Sequence, residues 1–172
     1  MNTTRQYILE LFKKRKQKKE KQAKIILNQK KELEKQFKEN LIKNLSGLNN
    51  ECTMIAKKYL EDKKEQERDD KSGKYEPIPH YNAEYARSQN IENDIGHWMV
   101  KRVNKAAKPL RSKVTKETSV FFRYNLDDIV QALPDYIGNS IEIIINKGKY
   151  KCSNIEREII DEIKEFDFNY EY

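Results

Sequence analysis

Apolar positions in the first third of the chain are sparse and spaced for helix. Ile8, Leu11 and Phe12 open the pattern, and Ile26, Leu33, Phe37, Leu41 and Leu45 continue it at steps of 7, 4, 4 and 4. Thr3 or Thr4 supplies an N-terminal cap, and no Pro or Gly interrupts before Gly47. Ser46-Gly47 supplies the stop, because glycine enters the left-handed conformation freely. Between Phe12 and Ala23 there is no apolar residue. A helix without an apolar stripe has nothing to bury, so this stretch is expected to be exposed, or ordered by a partner. A second helix is predicted from about Asn50 to Asp70, carrying Cys52, Ile55, Tyr59 and Leu60. The short connection between the two predicts an antiparallel hairpin, with Tyr59 and Leu60 near Phe37. Residues 61–70 are entirely polar, with Glu61/Lys64 and Lys64/Glu67 at ion-pair spacing, and are expected to lean on the basic first helix.

Lys71-Ser72-Gly73-Lys74 ends this arm, and Pro77 and Pro79 predict an extended linker through His80. Beyond it, Asn82 caps a short helix through Arg87, and a further helix runs from Ile91 to about Lys108, halted by Pro109 and weakened at Gly96. Its stripe is Ile95, Met99, Val103 and Ala106. Residues 116–124, with Val120, Phe121, Phe122 and Tyr124, read as a strand. Asn125 then caps a short helix over 127–133 with acids in its first turn. Residues 141–146 carry the strongest strand pattern, and Lys147-Gly148 turns into a further strand at 149–152. Ser153 or Asn154 caps a final helix with Ile155, Ile159, Ile160 and Ile163 on one face.

The expected fold class is therefore α+β, mainly α. Residues 1–73 form a long basic N-terminal helical hairpin or coiled-coil arm, 74–81 a linker, and 82–172 a small mixed domain with a few strands, a C-terminal helix and an acidic-aromatic tail.

Composition sharpens this picture. Of 172 residues, 37% are apolar and 37% charged, against roughly 45–50% and 25% in ordinary globular chains. The core must be small for the length. Net charge is +7 and the isoelectric point about 9.2, which favours an acidic partner. Lysine outnumbers arginine 27 to 8; such point charges suit backbone phosphates better than bidentate base reading. No stretch approaches the roughly 18 apolar residues of a membrane span, and the N-terminus has no signal-like apolar region. A cytoplasmic protein is the expectation. Cys52 and Cys152 are isolated and read as thiols in a reducing compartment, with a disulfide left open. The bias towards Lys, Ile, Asn, Glu and Tyr suggests an AT-rich coding genome.

Charge is zoned along the chain. From Ile95 to Lys116 there is no carboxylate, while Lys101, Arg102, Lys105, Lys108, Arg111, Lys113 and Lys116 fall within the window. Lys101, Lys105 and Lys108 stand at i, i+4 and i+7, a row that can track phosphates. Trp98 can stack on an unpaired base if exposed, or else belongs to the core. A second block comprises Lys13, Lys14, Arg15, Lys16, Lys18, Lys19 and Lys21. It lacks the apolar face of a membrane-surface helix, so a nucleic acid or an acidic protein groove ranks above a lipid surface. The plainer alternative is a coiled-coil arm neutralised by residues 61–70. Residues 165–172 interleave acids with aromatics, either as a cover over the basic surface or as a disordered tail or edge strand.

Enzymatic readings find little. His80 and His97 have no paired cysteines nearby, and neither a phosphate-loop nor a dinucleotide glycine pattern occurs. A metal-dependent nuclease pattern sought at Pro134-Asp135 and Glu142 fails at Ile144, where lysine is required, and Glu162-Ile163-Lys164 falls on a helix. No catalytic residue, metal or cofactor is expected. The functional expectation is a non-enzymatic binder of nucleic acid or a ribonucleoprotein. The alternative is a helical interaction or assembly protein, such as a phage or mobile-element factor, that binds a protein partner or itself through Phe37, Leu41 and Leu45.

Overall fold

A computed structural model describes residues 2–73, 76 and 82–172. It contains five α-helices: α1 (Asn2–Lys43), α2 (Leu48–Ser72), α3 (Ala83–Ala107), α4 (Ser119–Asn146) and α5 (Ile155–Glu165). A 3₁₀ helix (Lys108–Lys113) joins α3 to α4. The described residues contain no strand, which corrects the α+β expectation to an all-helical fold. The expected linker at 74–81 lies outside the described residues, apart from Glu76.

The strands expected at 116–124 and 141–146 fail for one reason, while residues 149–152 lie in the irregular connection between α4 and α5. Phe121, Asn125, Ile129, Leu133, Ile137, Ile141 and Ile145 recur every fourth residue, and α4 buries all of them. Phe122, Leu126, Pro134 and Gly138 are buried beside them, and such adjacent pairs share one side of a helix, whereas a strand would turn them to opposite faces. The β-branched and aromatic residues at 120–124 and 141–145 carry strand propensity, but tertiary burial overrides it. Pro134 does not break the helix. It is buried inside α4 against α3, where a Cβ added at Gly96 would stand 3.9 Å from its ring. One turn later Gly138 lies flush on Glu92, with a hypothetical Cβ 3.7 Å from that Cα. Small residues on both helices thus let α3 and α4 make the most extensive pairing in the molecule.

α3 is likewise continuous, merging the two helices expected over 82–87 and 91–108. The Asn82 side chain caps it by accepting from Tyr85 N at 3.0 Å. The expected hairpin does not form as drawn. Gly47, at φ 89°, turns the chain between α1 and α2, but the two helices do not pack on each other; both rest on α3 and α4. Phe37 meets Phe122 edge-on at 6.1 Å and Phe168 at 6.0 Å, and Tyr59 instead donates to Asp94 at 2.6 Å. The ion pairs expected along residues 61–70 are not closed either; Lys38–Glu34 and Lys58–Asp94 are the two that form among the described residues.

Two asparagines hold distant segments together. Asn49, at the start of α2, accepts from Glu156 N at 2.8 Å and donates to Ser153 O at 3.1 Å, so it caps α5 from another helix. Asn125, expected as a helix cap, is buried in the middle of α4. Its amide donates to Phe121 O at 2.8 Å and to Asn169 O at 3.1 Å, and its oxygen accepts from Asn169 N at 2.7 Å. The C-terminal segment is therefore strapped down: Phe168 is buried, Tyr170 donates to Glu34, and Tyr172 donates to Asp128 at 2.9 Å.

The first half of α1 is unlike everything else. Residues 3–25 are all exposed, a solvated rod about 35 Å long at 1.5 Å per residue.

Asn125→Ala is expected to destabilise the chain by about 1–2 kcal/mol, because it removes both hydrogen bonds that hold the Asn169 backbone; urea denaturation measures this, and a neutral result contradicts the strap. Deleting residues 2–24 is expected to change the same stability by less than about 0.5 kcal/mol, since no core contact is lost.

Candidate nucleic-acid interface

The core stripe of α3 (Ile95, Met99, Val103 and Ala106) is buried, and helical geometry places Lys101, Lys105 and Lys108 on the opposite face, where all three are exposed. Between the two faces, Arg102 is half-buried and lies over Trp98, its guanidinium carbon 4.4 Å from the ring centroid. Trp98 is itself half-buried and packs against the core. Its ring is engaged by Arg102, which favours a packing role over a free stacking platform.

Pro109 does not end the basic row; it changes the winding. The chain tightens into the 3₁₀ helix, Leu110 anchors it in the core, and Arg111 and Lys113 project outward. Lys113 donates to Gln36 of α1 at 2.8 Å, tying this turn to the base of the arm. None of Lys101, Lys105, Lys108 and Arg111 pairs with a carboxylate. The face is an uncompensated positive surface running from α3 into the 3₁₀ helix.

The arm carries the second basic block. Lys13, Lys14, Arg15, Lys16, Lys18 and Lys19 are exposed along α1, together with Lys21 and Lys24. Residues 61–70 do not neutralise them, because α2 lies on other neighbours and no ion pair joins the two segments. At the tip, Tyr7 and Phe12 are each 62% exposed, with Ile8, Leu9 and Leu11 beside them. By contrast Phe37, Leu41 and Leu45, expected as partner contacts, are fully buried in this chain's own core. The tail does not cover the lysine row. It lies on α1 and α4, where Lys30 donates to the backbone oxygens of Tyr170 and Tyr172 at 2.9 and 3.0 Å.

Sequence reasoning missed one feature. A cleft of about 340 Å³ opens beside the lysine row, between the C-terminal end of α3, the 3₁₀ helix and the first turns of α4. Asn104, Arg111, Arg123 and Asp127 line it. Asn104 was legible as a helical neighbour of Lys101 and Lys108, but its α4 partners were hidden by the strand assignment at 116–124.

Chemistry elsewhere is thin. Among the described residues no three His, Cys, Asp or Glu side chains gather as a metal site, and no helix is long and apolar enough to cross a membrane. Cys52 and Cys152 are buried free thiols. Burial is the main cause that pushes both above the ordinary thiol value, with the charges of Cys152 and Glu51 adding to it at Cys52. The nucleophilic thiolate is therefore disfavoured. At about pH 8, iodoacetamide is expected to spare both thiols in the folded protein and label both in denaturant; mass spectrometry reads the difference.

No family model matches the chain, and neither a curated protein nor a solved structure matches it.

Proposed function

We propose that this protein is a non-enzymatic nucleic-acid- or ribonucleoprotein-binding protein that grips backbone phosphates. The observation that carries the reading is the exposed, carboxylate-free face formed by Lys101 and Lys105 on α3 and continued by Lys108 and Arg111 on the 3₁₀ helix. A row of unpaired cations at helical spacing on a rigid element matches a polyanion, and releases its counterions on binding. The arm adds a second, longer cationic surface that grips without reading sequence. Arginine and lysine tails there need no fixed register, which suits affinity rather than specificity. The buried, unactivated thiols fit work in a reducing cytoplasm.

A second reading is a helical interaction or assembly protein. The exposed apolar group at the arm's tip, Tyr7, Ile8, Leu9, Leu11 and Phe12, favours it. In that reading the docking residues are these five, in place of the buried Phe37, Leu41 and Leu45.

Fluorescence anisotropy with single- and double-stranded DNA and RNA at about 50, 150 and 300 mM salt separates the two. The binder is expected to hold with submicromolar affinity at the middle salt and to weaken steeply above it. Replacing Lys101, Lys105 and Lys108 with Ala together should flatten the slope of log affinity against log salt by about 2 for single strands. Flat anisotropy at the middle salt, with concentration-dependent self-association lost on Phe12→Ser, would leave the assembly reading in its place.

A further inference from the structure

The cleft beside the lysine row has a floor and a rim of different chemistry. Buried Val103, Phe122 and Leu126 and half-buried Val114 and Val130 make an apolar floor. Around it stand exposed Asn104, Arg111, Arg123 and Asp127. Asn104 lies one helical turn from Lys101 on one side and from Lys108 on the other, so the phosphate-tracking row passes along the mouth of the cleft.

Asp127 is the informative residue. It is the sole carboxylate among the residues lining the cleft, and it forms no ion pair with Arg123 one turn away on α4 or with Arg111. A carboxylate repels phosphate, so within a phosphate-gripping surface it marks a place where something other than the backbone must sit. A carboxylate accepts hydrogen bonds from exocyclic amino groups, as an asparagine also can while donating from its own amide. An apolar floor accommodates the π-face of a base, and the arginines on the rim meet the adjoining phosphates.

The geometry points to a nucleotide subsite: the cleft takes one unpaired, amino-bearing base, foremost cytosine or adenine, from a single strand whose phosphates follow Lys101 and Lys108. This inference rests on the phosphate-binding reading above and adds strand type and base preference to it. The base must be unpaired, because a base held in a duplex stack cannot enter the cleft and lay its face on the floor. Thymine and uracil lack the exocyclic amino group and leave Asp127 facing a carbonyl.

The test titrates the full chain with fluorescein-labelled 12-mers of dC, dA and dT, and with a mixed duplex of equal length, at a fixed salt near the physiological value. Oligo-dC and oligo-dA are expected to bind about tenfold more tightly than oligo-dT, the order of one good base-edge contact. They should exceed the duplex by a similar factor. Asp127→Ala should raise oligo-dT affinity while lowering that for oligo-dC, since removing a merely repulsive charge would raise both. Val130→Phe, which fills the cleft, should collapse the three single strands onto one affinity; circular dichroism checks its fold, and exposed Asp127 provides the variant that does not touch the core. Free dCMP at millimolar concentration should leave the oligo-dC complex intact, and displacement by it would overturn the assignment to a strand. Equal binding of every strand and of the duplex, still lost on Lys101→Glu, would overturn the subsite and leave the phosphate-binding reading standing. Absence of binding to every probe would overturn both.

Discussion

The constraint on which the rest of the molecule depends is the scarcity of apolar residues and their concentration in α4. With apolar and charged residues each at 37%, the chain can bury only one long continuous ridge, and the fourfold spacing from Phe121 to Ile145 supplies it. α3 lies along that ridge through Gly96 against Pro134 and Gly138 against Glu92. The other helices add narrow stripes: Leu33, Phe37 and Leu41 from α1, Ile55, Tyr59 and Leu60 from α2, and Ile159 and Ile163 from α5. Because α3 spends one face on this core, its opposite face is left to charge. Because the apolar stripe of α1 becomes core-bound only at Leu33, its first half is left to solvent. The basic surfaces are thus what a small core leaves over, arranged by the same helices that build it.

Much of this organisation could be read from the residues. Helices with unbroken stripes and clear punctuation, such as α1 ending before Gly47 and α5 with its isoleucines, lie close to their expected positions. α4 did not, because its local residues prefer strand while the spacing of its buried residues demands helix. The position of that proline against a glycine of the facing helix is a tertiary fact that no local pattern contains. The hairpin expectation erred similarly. A short turn limits where α2 can start but not what it packs against, and the apolar residues of both helices find better partners on α3 and α4.

The candidate interface divides along the same line. The lysine row was visible because it lies within one helix, whose spacing is a property of sequence alone. The cleft was invisible because its rim joins Asn104 and Arg111 to Arg123 and Asp127, which meet only after α3 and α4 cross. Asn125 is a similar case. As a lone polar residue it resembles a cap, and its role as the strap for Asn169 emerges only when the tail folds back across α4.

The arm has a consequence for how the molecule opens. A helix of this length without tertiary contacts is held by its own backbone bonds alone, which are marginal in water for an isolated segment. Its amides should exchange with solvent through fraying that leaves the core closed, so the chain comprises a fast-exchanging rod and a slow-exchanging body joined in one unbroken helix. The boundary between the two regimes falls within α1, where Leu33 first enters the core. Any partner that settles on the rod would move this boundary towards the N-terminus, and the displacement would measure how much of the arm it holds.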